Sequence, residues 1–252
     1  MTYPAIAVLE RHLHLYQRLW RASAFSSFVL PVLFLLSMGL GVGGYIGTIG
    51  GHDYLLWIVP GLLASTAFQI GASESTYGVL SEFEWVGGIH AMRSTPLRTR
   101  DMVLGWLLYV LLATEIAVGA FLIVAALFGG LTLGLALSAP LVCGLVSLAI
   151  AAPTTAFSAM IRDQDWFLLL TRFVILPAVL FSGVLFPVSQ LPSAIRPISY
   201  LSPLSHGVDL LRDFTFGTAT VIQCAGHAGY LLAWVAAGWF AANFTFRRRL
   251  TD

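Results

Sequence analysis

Lysine is absent from this 252-residue chain: all thirteen basic residues are arginine, set against twelve acidic ones, for a formal net charge of +1. That absence excludes a nucleotide-binding P-loop, whose GxxxxGK[ST] pattern needs a lysine to neutralise the β- and γ-phosphates. Near-neutral charge offers no basic face to nucleic acid. Cysteine is also scarce: Cys143 and Cys224, the only two, make no metal or redox spacing and read as packing residues. Charge of either sign is rare, at 10% of residues against 58% hydrophobic, where a soluble domain carries about 25% charged residues. No charged residue occurs anywhere from Ile116 to Ile161.

What the chain has instead is long apolar runs. A hydrocarbon core of about 30 Å needs about 20 helical residues. Runs of that length lie near Phe25–Tyr45, Tyr54–Tyr77, Met102–Phe128, Leu135–Met160, Trp166–Phe186 and Val221–Phe246. The charge-free stretch after Glu115 is too long for one helix, and Gly129, Gly130 and Gly134 supply a turn within it. The runs are continuously apolar rather than alternating, which argues against a β-barrel. No cleavable signal peptide is expected, because the first run is too long and follows a polar segment. Eleven of the thirteen arginines fall on alternate loops: 11, 18, 21, 93, 98, 100, 162, 172 and 247–249. Loops retained in the cytoplasm collect positive charge. The expected fold is therefore an all-α integral membrane domain over the whole chain, with six transmembrane helices and both termini in the cytoplasm.

Three segments outside the spans stand out. In residues 1–22, Ile6, Leu9, Leu13, Tyr16 and Trp20 recur at helical spacing, with polar and basic residues between them. This predicts an amphipathic helix lying in the membrane interface, either an anchor or a moving gate part, with His12 and His14 solvated or facing headgroups. Residues 79–101 (VLSEFEWVGGIHAMRSTPLRTRD) form a charged cytoplasmic loop that Glu82 and Glu84 begin, Gly87-Gly88 break and Pro96 closes. A short amphipathic segment over Ile89, His90, Ala91, Met92, Arg93 and Ser94 is expected there, open to a soluble partner; the alternative is a solvated connector.

Residues 187–220 stay apolar outside the membrane, yet prolines at 187, 192, 197 and 203 forbid one continuous helix. Two short pieces, Leu191–Leu201 and Leu204–Phe214, fit better, with Ser205 capping the second. His206, Asp209 and Asp213 follow on one face of that piece, with Arg212 nearby. The pattern predicts a re-entrant outer hairpin or, alternatively, a lid on the bilayer surface.

Within the spans, Glu115 lies about 20 Å from the start of the third. An ionised carboxylate there costs several kcal/mol unless it meets water or a partner, so path lining and packing are both open to it. Arg172 is expected to snorkel and to pair with Asp163, Asp165 or Glu74. Aromatic residues such as Trp57, Phe68, Phe173 and Phe181 are candidates to line a path for an amphipathic substrate, with lipid-facing or packing roles the default for any one of them. Gly61, Ala64, Ser65, Gly71, Ala72 and Ser75 give the second span a small-residue face for close helix packing, within the chain or across a dimer.

Several strings in this order resemble the membrane subunit of type-2 ABC exporters, of the nodulation lipooligosaccharide and daunorubicin-resistance kind. They are FSGVLFP at 181–187 with Leu191-Pro192, PLSHGVDLLR at 203–212, and Thr95-Pro96-Leu97 with Asp101 and Gly105. The resemblance runs from the amphipathic helix to the arginine-rich tail. At Trp106, where members of that family carry an acidic residue, it transfers nothing. It implies a permease of the plasma (inner) membrane that dimerises, as two identical or two related chains, and binds an ATP-binding cassette subunit. That partner would hold ATP and Mg2+, and this chain would bind no cofactor itself. Carried over, Leu9, Leu13, Tyr16 and Trp20 belong to the gate helix and 89–94 to the ATPase-coupling segment. His206, Asp209 and Arg212 would shape the outer gate. The expected cargo is a lipid-linked saccharide or an amphipathic drug or metabolite.

Two other classes compete. An ion-coupled secondary transporter would use Glu115, but no internal repeat of the span pattern accompanies it. An intramembrane serine protease would need a nucleophile and a base on facing spans. Only His227, of the six histidines, lies well inside one, without a serine elbow.

Overall fold

The computed structural model describes residues 4–14 and 32–251. The start of the first expected span, with Tyr16 and Trp20, lies outside them. Residues 4–14 form helix α1. Helix α2 covers Val32–Ile46, its middle widened into a π-helix over Leu35–Val42. A two-residue hairpin follows, Thr48–Ile49 against His52–Asp53, turned by Gly50 and Gly51 with φ of 60° and 84°. It is the sole departure from an all-α fold among the described residues. Asp53 leaves the hairpin to cap the next helix, its side chain accepting from the Leu55 N–H at 2.7 Å.

Helix α3 spans Tyr54–Glu84, with a π turn at Glu74–Gly78. It runs seven residues beyond the expected span, so Val79–Glu84 belong to a helix and not to a loop. Gly87, in the left-handed region at φ 66°, turns the chain into the short helix α4, Gly88–Arg93. Helices α5 (Thr99–Leu127) and α6 (Leu133–Ser158) are joined by a turn at Gly129, φ 75°. Gly134, expected in that turn, lies inside α6, because Thr132 already caps it. Residues 165–181 form α7, again with a π turn, at Thr171–Ile175. Helices α8 (Arg196–Leu201), α9 (Pro203–Phe216) and α10 (Val221–Thr251) complete the chain. Ser202, not Ser205, caps α9; the Ser205 hydroxyl donates to the Ser199 and Ser202 carbonyls instead.

Among the described residues, α3, α5, α6 and α10 are long and apolar enough to cross a membrane. Helix α2 is shorter and α7 is 17 residues long. Helix α6 is the hub, packing on α3, α5, α9 and α10. The small-residue face of α3 meets it within the chain. Gly71 touches the Ser147 backbone, and the Ser158 hydroxyl donates to the Ser75 carbonyl at 2.6 Å. Thr114 of α5 reaches Ser147 from the other side, hydroxyl to hydroxyl, at 2.7 Å. Helix α9 lies along α6, Gly207 against Val146 and the Phe214 carbonyl against Gly134. That contact follows α6 for about 18 Å at 1.5 Å per residue. Helices α7 and α10 keep wide apolar faces exposed, with Phe173, Leu176, Phe240 and Phe244 among them.

Replacing Gly71 by leucine should overpack the α3–α6 seam, a cost of about 1–3 kcal/mol, and lower the thermal midpoint of the purified protein by several degrees. Gly119→Leu, where a Cβ meets nothing within 4 Å, should leave the midpoint unchanged. Fluorescence-detected size exclusion after heating measures both.

Candidate functional site at the arginine-rich end of the bundle

At one end of the bundle, α1 crosses the start of α5 because Gly105 has no side chain. A Cβ there would lie 2.6 Å from Val8 Cβ and 2.8 Å from the Ala5 carbonyl oxygen. The residues α1 buries are Ala5, Val8 and His12, while Leu9 and Leu13 are half-buried and Ile6 is exposed. The stripe of larger apolar residues is thus rotated off the protein contact. A close crossing admits only small residues, and the bulky ones are left to the surroundings.

His12, expected to be solvated, is buried. Its ring stands edge-on to Trp106 at 4.7 Å between centroids and lies 5.6 Å from Tyr109. Beside it, Arg11 pairs with Glu82 at 2.9 Å, and Glu82 is only 4% exposed. Gly88, at the first turn of α4, fits against this pair: both the Glu82 carboxylate and the Arg11 guanidinium occupy the space a Cβ would need. The ion pair therefore joins α1, the end of α3 and the start of α4. The π turn of α3 lies next to it, where Gly78 abuts the Trp106 ring and Glu74 accepts a hydrogen bond from Tyr109 at 3.2 Å.

Helix α4 turns Ile89 and Met92 inward, leaving His90, Ala91, Arg93 and Ser94 exposed, and Trp85 and Val86 before it are also exposed. Its inner face rests on Phe83, which meets the His90 ring edge and the Phe246 ring. From α10, Arg249 closes the same corner. It pairs with Glu84, donates to the carbonyls of Ser158 and Ile161 at 3.1 and 2.8 Å, and lies 4.2 Å from the Phe83 ring centre. Glu82 and Glu84, read from sequence as the start of a loop, are thus the two carboxylates that fasten α1 and α10 to α3.

At the opposite end, His206, Asp209 and Arg212 share α9 and lie close enough for the Asp209 carboxylate to interact with both of the others. His206 meets His227 of α10, Nδ1 to Nδ1 at 2.8 Å, and its Nε2 lies 3.0 Å from the Tyr200 carbonyl. Arg212 stacks on Trp57 at 3.6 Å and donates to the carbonyls of Trp57 and Val184. Asp209 is half-buried between them. Glu115 is half-buried on α5 beside Gly144, and it has no hydrogen bond or ion pair among the described residues. Thr114, next to it, bonds to Val110 and Ser147. Arg172 is exposed and pairs with none of Asp163, Asp165 or Glu74. Phe181 lines an apolar cavity of about 340 Å³ between α6, α7, α8 and α10, together with Phe68 and Phe173. No group of three metal-ligating side chains occurs among the described residues.

The burial of Glu82 leaves a trace in the sequence: it follows Val79 by three residues and so shares its inward face. The burial of His12 leaves none, because it depends on Gly105 far along the chain. Burial, and then Arg11, lower the pKa of His12 from 6.5 to about 4. The imidazole of an undocked α1 keeps its ordinary value, so docking is strongest above about pH 6.5 and weakens as pH falls toward 4, by about 3 kcal/mol in all. A spin label at the exposed Glu10 position should gain mobility across that window, and His12→Phe should remove the pH dependence.

The sequence matches the family described as ABC-2 type transporter over residues 5–216. It is 30% identical to nodulation protein J of Rhizobium leguminosarum bv. trifolii, over 97% of this chain and 93% of that one. The same protein of R. leguminosarum bv. viciae is 29% identical, over 97% and 94%, and that of Rhizobium meliloti (strain 1021) 27%, over 97% and 93%. With its apolar helices and a match over most of its length, the chain belongs to the ABC-2 type transporter family, as a multi-pass membrane permease subunit that works with an ATP-binding cassette partner and is not itself an enzyme.

Proposed function

We propose that the chain is the permease of an ATP-driven exporter of the inner membrane, in which α4 receives the ATPase stroke and the Arg11–Glu82 pair passes it to α1. The observation that carries this reading is the joint at Gly88. One side of α4 is buried on α3 and touches the ion pair, while the other side is exposed for a partner. A push on the exposed face therefore reaches α1 and α5 without a flexible link. Arg249 does the same for α10 through Glu84.

In this reading the arginine-rich end is cytoplasmic and both termini lie there. The segment 32–46 with its preceding residues, and α7, complete six spans. The α8–α9 hairpin re-enters the membrane from outside. Its support is the run of α9 contacts along α6 and the seating of Val184 and Arg212 against Gly61 of α3. Two permeases, identical or related, form the pore, and the exposed apolar faces of α7 and α10 are available for that contact. The cargo is a lipid-linked saccharide or another amphipathic molecule moved outward. ATP and Mg2+ belong to the ATPase subunit, since no lysine is present here to build a P-loop. Glu115 lines the path, an assignment supported by a half-buried carboxylate with no ion-pair partner among the described residues.

Purification from the native membrane in mild detergent should yield a stoichiometric ATP-binding subunit, identified by mass spectrometry. Replacing 89–94 with a Gly/Ser linker should lose it; recovery of the permease alone from every detergent would count against the exporter reading. Glu115→Ala should lower transport severalfold in reconstituted vesicles while the ATPase stays bound, and unchanged transport would return Glu115 to a packing role.

A further inference from the structure

A second cavity, of about 350 Å³, opens at the arginine-rich end of the bundle. The turn after α6 forms one wall, with Met160 and Arg162, and the last turns of α10 form the other, with Phe244, Arg248 and Arg249. Three guanidinium groups share this small space, and no carboxylate lines it. Arg249 is committed to the wall, since it donates to the Ser158 and Ile161 carbonyls and pairs with Glu84. Arg162 is exposed, has no ion pair among the described residues, and stands near enough to Arg249 for their charges to repel. Asp163 and Asp165 follow it but lie outside the wall, and the Asp163 carboxylate accepts from the Asp165 N–H at 3.1 Å. Like charges gathered around a concave surface reinforce one another's field and favour an anion at its focus.

The surface leading away from the arginines says which anion. Phe240, Phe244 and Arg248 follow one another at steps of four on a single face of α10, and both rings are largely exposed. The strip runs about 12 Å from the guanidinium into the apolar part of the helix. Across the cavity, Met160 is exposed as well. A free phosphate ion gains nothing from such a strip, whereas a phospholipid uses both parts. Basic pockets between spans on the cytoplasmic side take anionic lipid headgroups, and guanidinium forks match the phosphate oxygens. We propose that this cavity binds an anionic glycerophospholipid, its phosphate held by Arg162 and Arg248 and an acyl chain lying on Phe244 and Phe240. The lipid covers only the last turns of the exposed α10 face and leaves the rest for a second permease.

The proposal rests on the exporter reading only in placing the arginine-rich end on the cytoplasmic side, and binding is measured without transport. The complex with the ATP-binding subunit is purified in detergent, delipidated and titrated with dioleoylphosphatidylglycerol, with bound lipid counted by native mass spectrometry. One phosphatidylglycerol should bind well ahead of the rest, and dioleoylphosphatidylethanolamine should bind at least about tenfold more weakly. Arg162→Gln should weaken the first phosphatidylglycerol about tenfold, the loss of one charge-assisted hydrogen bond. Phe244→Ser should weaken it severalfold by breaking the apolar strip. Arg100→Gln, which removes an exposed charge at the same end on α5, should leave it unchanged.

Equal binding of the two lipids, or a loss in Arg100→Gln as large as that in Arg162→Gln, would overturn the site. Displacement of the lipid by millimolar inorganic phosphate would do the same, marking a pocket for the free ion. Phosphatidylglycerol that binds the permease alone but not the complex would assign the arginines to the ATPase contact and reject the lipid. If Arg162→Gln does not purify, Phe244→Ser decides alone, and unchanged affinity rejects the assignment. If no ATP-binding subunit co-purifies, the exporter reading fails, and the same variants decide the site on the permease by itself.

Discussion

The close approach of four helices to α6 is the constraint on which the rest of the bundle depends. In a bilayer the lipid tails are as apolar as leucine, so burial alone does not draw helices together. Contact has to come from packing and from hydrogen bonds between helices. Helix α6 meets that demand with small residues and hydroxyls. Ser147 accepts the close backbone approach of Gly71 on one side and the Thr114 hydroxyl on the other, and Ser158 ties α6 to the π turn of α3. Pro153 leaves α10 a flat place to pack through Gly238. A charged residue on a packed face of this helix would need a partner among its close neighbours, and one on the exposed face at Leu137 or Leu141 would meet lipid, which accounts for the long charge-free stretch.

With the centre fixed, most charge other than Glu115 gathers toward the two ends, and the ends are built differently. At the arginine-rich end, Glu82 and Glu84 project from successive faces of one helix, and each is held by an arginine from a distant part of the chain. Removing Arg11 would leave the buried Glu82 carboxylate uncompensated, so that pair binds α1 and α4 to α3, while the more exposed Glu84 pair adds α10. At the other end the polar groups of α9 are spread over separate walls: His206 on α10, Arg212 on α3 and the turn after α7.

Helices α7 and α8 are largely exposed, and between them and the hub lies the apolar cavity, whose wall reaches the Gly71–Ser147 seam through Ile150.

The sequence by itself determined the class, the four long apolar helices and the lack of a P-loop motif, because hydrophobic length and the lack of lysine are properties of composition that no tertiary contact can alter. It also gave away the break at Gly87, since only glycine enters the left-handed region without strain, and the two-piece outer segment, since prolines set its boundaries. The Ser205 cap was misplaced because Ser202, immediately before Pro203, fits the cap geometry better. Glu82 and Glu84 looked like loop residues because charge near the end of a span reads as solvated. Only the tertiary structure decided that Arg11 and Arg249 return to them, that Gly105 exists to admit Val8, and that His12 is buried against Trp106. Those contacts join residues far apart in the chain through shape and charge pairing, and hydrophobic periodicity carries no signal for either.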